Sequence, residues 1–79
     1  MAEITVYSKD DCVQCKSTYR KLDKDGHVYR VVDIEKDPEA LTYVQSLGYL
    51  RAPVVVVGNE HWSGFNPGML SKVKEFLVG

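Results

Sequence analysis

The sequence predicts a single α/β domain over residues 1–79, with a mixed four-stranded sheet flanked by three helices in the order βαβαββα. Short runs of β-branched residues alternate with segments of helical periodicity, which is the pattern of strand–helix–strand units. Glycines and prolines stand where the helices are expected to end and begin. A chain of 79 residues also leaves room for only one hydrophobic core.

The first part of the chain predicts a strand–helix–strand unit. Residues 4–7 are β-branched or aromatic and predict the first strand. A helix is expected over residues 12–25, where apolar residues recur at helical spacing, and Gly26 is the expected stop. Residues 28–34 predict the second strand, which must pair in parallel with the first through a right-handed crossover.

A second helix is expected to begin at the Asp-Pro-Glu of residues 37–39. Asp can cap the helix, Pro fits its first turn, and an acidic residue suits the positive end of the helix dipole. Leu41, Val44 and Leu47 are predicted to form its buried stripe, and Gly48 to end it.

The last part of the chain predicts a hairpin followed by a helix. The apolar run of residues 53–57 is typical of a strand that is covered on both faces. The Gly-Asn pair at 58–59 predicts a turn, and residues 60–62 predict the returning strand. One final helix is expected over residues 66–77, beginning with an Asn cap and a proline.

Composition and charge exclude several classes of protein. The net charge is −1, from 10 basic and 11 acidic residues, so neither nucleic acid nor a membrane is a predicted partner. Residues 1–11 do not resemble a secretory signal, and the longest apolar run is far shorter than the ~20 residues of a membrane span. Two cysteines are too few for a disulfide-stapled secreted scaffold. We therefore expect a cytoplasmic protein.

Both cysteines, Cys12 and Cys15, lie where the first strand gives way to the first helix. The N–H groups in the first turn of a helix lack partners within the helix, and with the helix dipole they stabilise a thiolate. Cys12 stands at this position, and Cys15 lies one turn into the helix, within reach for a disulfide. We therefore predict that Cys12 is the catalytic nucleophile and Cys15 the resolving thiol.

Charged neighbours are expected to modulate the reactivity of Cys12. Lys9, together with Lys16, favours the charged form of this thiol, whereas Asp10 and Asp11 oppose it. We expect a moderate fall of the Cys12 pKa from its ordinary ~8.5, toward the value of about 7 found in some reactive C-x-x-C sites.

Thiol–disulfide exchange is the chemistry that this cysteine pair predicts. The Cys12 thiolate attacks a disulfide of a protein partner, and Cys15 then resolves the mixed disulfide, so that the partner leaves reduced. A separate reductase must restore the dithiol. No metal and no bound organic cofactor is predicted, because the redox-active disulfide carries the electrons itself.

Two other interpretations of the cysteine pair stay open at this point. A zinc-binding interaction module would need His27 and His61 as further ligands, and these lie 34 positions apart, unlike the usual closely spaced ligand pairs. Two inert, buried thiols are the second alternative. The position of C-x-x-C after the first strand of a βαβ pattern favours a redox site over both.

Five short motifs follow one another along nearly the whole chain. They are Thr-Val-Tyr-Ser-Lys at 5–9, Cys-Val-Gln-Cys at 12–15, Leu-Gly-Tyr at 47–49, Ala-Pro-Val-Val at 52–55 and His-Trp-Ser-Gly-Phe at 61–65. On this pattern of elements the chain resembles the NrdH-redoxins, which have glutaredoxin-like sequences and thioredoxin-like behaviour. The resemblance implies a thioredoxin fold and an electron donor to the large subunit of class Ib ribonucleotide reductase. It also implies recycling by thioredoxin reductase, which supplies the flavin and consumes NADPH.

The resemblance further implies a partner-binding surface. Pro53 matches the cis-proline of thioredoxin folds, which lies against the active cysteines, and the backbone of Ala52 is then offered to an extended substrate segment. The Trp-Ser-Gly-Phe motif is implied to lie near the same end of the sheet. The implied surface comprises Val13, Gln14, Ala52, Pro53, Trp62, Ser63, Gly64 and Phe65.

The chain departs from the NrdH-redoxin pattern at two places. Asn66 and Gly68 stand where the family commonly has an Arg and an acidic residue, so an Arg-centred network is lost. Asp10 and Asp11 precede the cysteine pair where the family often has a proline, which favours a higher Cys12 pKa than in the family.

A glutathione-dependent glutaredoxin is the nearest alternative function. Glutaredoxins typically carry Cys-Pro-Tyr-Cys, whereas Val13 and Gln14 lie between the cysteines of this chain. The late segment 63–66 also lacks the acidic group that receives the glutathione ammonium. Lys9 remains available to pair with a glutathione carboxylate, so the sequence leaves this alternative open.

Overall fold

A computed structural model describes residues 3–78 of the chain. Four strands and four helices follow one another in the predicted order, except that the final helix is divided in two. The elements are β1 (Ile4–Ser8), α1 (Val13–Lys24), β2 (Tyr29–Asp33), α2 (Pro38–Ser46), β3 (Val54–Val57), β4 (Glu60–Ser63), α3 (Pro67–Leu70) and α4 (Val73–Val78).

The four strands form one mixed sheet in the order β2-β1-β3-β4. β1 pairs in parallel with β2 and antiparallel with β3, which in turn pairs antiparallel with β4. The apolar run predicted to be covered on both faces is central: Val54, Val55 and Val57 are fully buried. The predicted mixed sheet is therefore confirmed.

The two faces of the sheet are covered by different helices. On one face, Ile4 and Val6 of β1 join a core cluster that includes Leu22 of α1, together with Leu70 and Val73. On the other face, α2 packs through Tyr43, whose ring centroid lies 5.6 Å from that of Tyr7. Burial, with a smaller contribution from the charge of Tyr43, raises the pKa of Tyr7 above its ordinary value.

Two glycines end helices as predicted. Gly26 adopts a φ of 76° after α1, and its N–H donates to the carbonyl of Asp23. The N–H of His27 donates to the Leu22 carbonyl, which completes a Schellman motif. Gly48 follows α2 in the same way, with a φ of 93°. Because this region of φ strains any residue with a Cβ, glycine at these two positions fixes where the helices stop.

The single final helix predicted over residues 66–77 is wrong, because a turn separates α3 from α4. The N–H of Lys72 donates to the carbonyl of Met69, three residues back, so the chain tightens there. Leu70 and Val73 both still reach the core, with 1% and 0% of their surfaces exposed. Apolar spacing alone therefore did not reveal the break.

The predicted buried stripe of α2 is confirmed at Val44 and wrong at Leu41, and Leu47 is half-buried. Ala40 and Val44 are its buried residues, whereas Leu41 is exposed. The Asp37 side chain caps the helix by accepting a hydrogen bond from the Ala40 N–H at 3.1 Å. This cap fixes the rotation of the first turn and places Ala40 toward the sheet.

β2 is an edge strand, and none of its residues is fully buried. Val31 is 52% exposed, and Val28, which the prediction placed in the strand, lies just outside it and is 92% exposed. Burial raises the pKa of Tyr29 to about 12, with support from its hydrogen bond to Asp23 at 3.0 Å. No helix within residues 3–78 is long and apolar enough to cross a bilayer.

Candidate redox site

Cys12 and Cys15 form a disulfide across the first turn of α1. Cys12 is the N-cap residue, with extended backbone, and its Cα lies 5.2 Å from that of Cys15. The Cys12 Sγ accepts a hydrogen bond from the Cys15 N–H at 3.1 Å. One of the amides at the start of α1 that lack a partner within the helix therefore points at the sulfur, as the sequence argument requires.

The two cysteine residues differ slightly in their exposure to solvent. Cys12 is 7% exposed and Cys15 only 1%. Both residues are buried, and Cys12 is the less covered of the two. This difference favours Cys12 over Cys15 as the cysteine that meets a partner.

A charged cleft of about 290 Å³ lies on the β2 side of the disulfide. Asp11 enters it with a φ of 54°, which turns the chain between β1 and α1. The Asp10 N–H donates to Glu35 at 3.3 Å and so fixes this turn. Side chains of both signs line the cleft beside Cys12: Lys9, Asp10, Asp11, Lys16 and Asp33. The predicted modulator Lys9 thus lies near the disulfide, and Asp33 adds a carboxylate that the sequence did not indicate.

The opposite side of the disulfide is built from backbone and apolar groups. The Ala52–Pro53 peptide is cis, as the resemblance implied, and the Pro53 carbonyl accepts from the Gly64 N–H at 2.8 Å. The Phe65 N–H donates to the Gln14 Oε1 at 3.0 Å. These two bonds bring together the redox motif (residues 12–15), the cis-proline and the signature segment (residues 62–65).

The predicted partner surface divides into exposed and buried members. Val13 is 77% exposed and Phe65 40%, while Gln14 and Ser63 are also exposed. Gly64 and Ala52 are half-buried. The Pro53 side chain is fully buried, so this residue can offer a partner little beyond backbone.

Trp62 lies in the core and not on the surface. It is 5% exposed, belongs to the main hydrophobic cluster and packs against Phe76 with ring centroids 6.1 Å apart. Its Nε1 has no hydrogen-bond partner among residues 3–78. The side chain of Trp62 therefore supports the strand from within the core.

Two contacts of the site could not be read from the sequence. Gln14 and Phe65 are 51 positions apart, and their bond depends on how two loops meet. Likewise, the Tyr49 hydroxyl lies 2.7 Å from the His61 Nδ1 and ties the loop before the cis-proline to β4. Both partners of the second contact stand inside recognised motifs, yet nothing in those motifs signals their pairing.

The described residues offer few side chains that could coordinate a metal ion at this site. Both thiols are held in the disulfide. Within the described part of the chain, no group of three or more His, Cys, Asp and Glu side chains is placed to hold an ion. The two histidines lie elsewhere than at the disulfide. His61 contacts Tyr49, and His27 follows the C-terminal end of α1, whereas the cysteines lie at its N-terminal end.

Comparison with known proteins places these features in context. Residues 4–62 match the glutaredoxin family model. The glutaredoxin-like protein NrdH of Escherichia coli K12 is 36% identical over 70 residues, covering 89% of this chain and 86% of that protein. The NrdH of Lactococcus lactis subsp. cremoris MG1363 is 34% identical over 70 residues, covering 89% of this chain and 97% of that protein.

Solved structures show the same likeness. The NrdH-redoxin of Escherichia coli, described as glutaredoxin-like with a thioredoxin-like activity profile, superposes with a TM-score of 0.86 at 36% identity, covering 89% of this chain and 92% of that one. The thioredoxin-like protein BC3987 superposes with a TM-score of 0.84 at 26% identity, covering 90% and 99%. The thioredoxin-type arrangement predicted from the motifs is confirmed.

Proposed function

Because this chain belongs to the glutaredoxin family, as a redoxin of the NrdH type, we propose that it donates electrons to the large subunit of a class Ib ribonucleotide reductase and is recycled by thioredoxin reductase. Thiol–disulfide exchange at a C-x-x-C pair is the chemistry of this family. The observation that carries the proposal is the likeness to the Escherichia coli redoxin, whose activity profile is described as thioredoxin-like.

The first half of the proposed reaction is a nucleophilic attack by Cys12. In the reduced protein, its thiolate attacks one sulfur of the partner disulfide, the partner S–S bond breaks, and a mixed disulfide forms. The other partner sulfur leaves as a thiolate and takes up a proton. The greater exposure of Cys12 and the Cys15 N–H directed at its sulfur support this role.

The second half is resolution by Cys15. Its thiol loses a proton and attacks the Cys12 sulfur, the mixed disulfide breaks, and the second partner sulfur leaves as a thiolate that takes up the proton released by Cys15. Two electrons and two protons have then passed to the partner, and the Cys12–Cys15 disulfide remains. Burial of Cys15 supports this assignment, because a covered thiol reacts more readily with its neighbour than with a bulky partner.

The surroundings of the disulfide favour a protein partner over glutathione. Val13 and Phe65 are exposed apolar side chains, which suit a protein surface. The signature segment and the following Asn66 carry no carboxylate to pair with the glutathione ammonium. Lys9 lies beside Cys12, and its cation is available to an acidic partner group.

Further elements of the proposal concern cofactors and compartment. The chain itself works without a bound cofactor, since the flavin belongs to the reductase and NADPH is consumed there. The proposed compartment is the cytoplasm, whose reducing environment keeps the cysteine pair available.

Reconstitution tests this function. The purified protein, thioredoxin reductase, NADPH and a class Ib ribonucleotide reductase should form deoxyribonucleotides at a rate that depends on the redoxin. The control is a Cys12→Ser variant that has the same fold as the wild type, and it should form no deoxyribonucleotides. If deoxyribonucleotides form only when glutathione replaces thioredoxin reductase, the glutaredoxin alternative is correct. Stoichiometric zinc that survives dialysis, without a two-electron couple, would instead support the zinc module.

A further inference from the structure

The side chain of Gln14 joins the redox motif to the signature segment. Its Oε1 accepts the Phe65 N–H at 3.0 Å, across 51 positions of sequence. Gln14 lies in the first turn of α1, between the two cysteines. The bond therefore links the reacting turn directly to a loop that flanks it.

The orientation of the Gln14 amide is determined by its partner. A backbone N–H can only donate, so the amide oxygen, and not the nitrogen, must face Phe65. The Nε2 of Gln14 has no acceptor among residues 3–78 and belongs to an exposed side chain. Its two donors are therefore available to a molecule that docks against Cys12.

The absence of a side chain at Gly64 leaves room for the contact between Gln14 and Phe65. It adopts a φ of 77°, and a Cβ at this position would lie 3.3 Å from the Gln14 Oε1. Its own N–H donates to the Pro53 carbonyl at 2.8 Å. The signature segment is thus held on one side by the cis-proline and on the other by Gln14.

We propose that Gln14 is a positioning residue that holds Phe65 in place for the partner protein. With the bond made, Val13 and Phe65 present a fixed apolar pair beside Cys12, while the Gln14 Nε2 is turned toward a carbonyl of the partner chain. Without it, a partner must order the signature segment as it binds, and that entropy weakens binding. Loss of the Gln14–Phe65 bond leaves the chemical mechanism at the two sulfurs the same. This inference rests on the proposed function, since a protein partner is its premise.

The test compares Gln14→Ala with Gln45→Ala, which removes the other glutamine of the chain, on the exposed surface of α2. Hydrogen exchange of the Phe65 amide should accelerate about fivefold in Gln14→Ala, the factor that corresponds to one neutral hydrogen bond. The KM for this redoxin in the thioredoxin reductase assay should rise by a similar factor of about five, with kcat changed less than about twofold. Gln45→Ala should leave all three quantities at their wild-type values.

A conservative variant separates positioning from a general loss of structure. In Gln14→Glu a carboxylate oxygen accepts the same bond, so protection of the Phe65 amide should be retained. The added charge should raise the Cys12 pKa in the reduced protein. Unchanged Phe65 exchange in Gln14→Ala, or a fall in kcat with KM unchanged, would overturn the proposal. If the wild type is not reduced by thioredoxin reductase, the proposed function fails, whereas Phe65 exchange still decides whether Gln14 holds the segment.

Discussion

The two flanks of the Cys12–Cys15 disulfide differ in what they are made of. On the β2 side, the charged cleft places carboxylates and ammonium groups, among them Lys9 and Asp33, around the sulfur. On the β4 side, a loop that exposes Phe65 is held by two hydrogen bonds, one to the Pro53 carbonyl and one to the Gln14 side chain. The β2 side is therefore solvated and charged, whereas the β4 side is held by hydrogen bonds and is partly apolar.

This difference suggests a division of labour around a small site. Fixed, partly apolar surface gives a partner protein something to pack against without reordering the loop. Solvated charges contribute little binding energy, but they act on the charge of the thiolate. We therefore expect substitutions on the β4 side to change partner affinity and local stability, and those on the β2 side to change the thiol pKa.

The largest expected effect comes from the cysteines, on which both flanks depend. Cys12→Ser should abolish disulfide reduction, because the attacking sulfur is lost. Cys15→Ser should accumulate a mixed disulfide through Cys12, because nothing resolves it. Mass spectrometry of the trapped complex identifies the bonded cysteine. A trap through Cys15 in the Cys12→Ser protein, with no mixed disulfide and no reduction in Cys15→Ser, would reverse the two roles.

The next largest effect is expected on the stability of the β4 side, and two glycines of nearly equal φ test it. Gly64 and Gly26 have φ values of 77° and 76°, but only Gly64 would place a Cβ against Gln14. Alanine at either position should cost about 1–2 kcal/mol of unfolding free energy from backbone strain. Gly64→Ala should cost about 1 kcal/mol more, because it displaces the Gln14 amide from Phe65. Urea unfolding measures both.

The extra cost at Gly64 should depend on the presence of Gln14. In a Gln14→Ala background, the losses caused by Gly64→Ala and Gly26→Ala should become equal within error. Equal losses already in the wild-type background would mean that the contact between Gly64 and Gln14 contributes nothing to stability.

Alkaline pH should destabilise the protein through Tyr29, which lies away from the disulfide, at the start of β2, and contacts Asp23 of α1. Its pKa is raised by burial and by the hydrogen bond to Asp23, from 10.0 to about 12. The folded protein therefore keeps this phenol neutral where the unfolded chain ionises it. Its contribution to stability is complete below pH 10, and it is lost as the pH rises toward 12.

An NMR titration of the Tyr29 ring checks this prediction. Asp23→Asn should lower the pKa of Tyr29, while burial keeps it above the ordinary value. A pKa unaffected by this substitution would show that the hydrogen bond does not bear on the titration of the phenol.

The smallest effect is expected in the charged cleft. Asp11→Asn removes a negative charge close to Cys12 and should lower the thiol pKa of the reduced protein by a few tenths, since the carboxylate is exposed and screened. The pH dependence of alkylation by iodoacetamide measures it. Glu39→Gln, an equal charge change in α2, is the control and should have no effect. The Asp11 effect should shrink at high salt, and a salt-independent shift would point to a structural cause.

Local rules allowed much of the fold to be predicted. The cap at Asp37, the stops at Gly26 and Gly48 and the buried valines of β3 each follow from chemistry within a few residues. The division between α3 and α4 does not, because the turn at Lys72 keeps the apolar residues at the same spacing as a continuous helix.

The site was predictable in its chemistry and less so in its contacts. Cys12 at a helix N-terminus follows from the position of C-x-x-C after a strand. The burial of Trp62 and the Gln14–Phe65 bond depend on how distant segments pack, and no local pattern encodes them. The presence of Asp33 in the charged cleft also depends on distant segments, since parallel pairing of β2 with β1 brings Asp33 beside Ser8.

The most direct test of the account is the identity of the reductant. The oxidised protein is mixed with NADPH and thioredoxin reductase in one reaction, and with NADPH, glutathione and glutathione reductase in another, and NADPH oxidation is followed in both. We predict that thioredoxin reductase reduces the Cys12–Cys15 disulfide catalytically and that glutathione does not. Efficient turnover with glutathione, and none with thioredoxin reductase, would contradict the account.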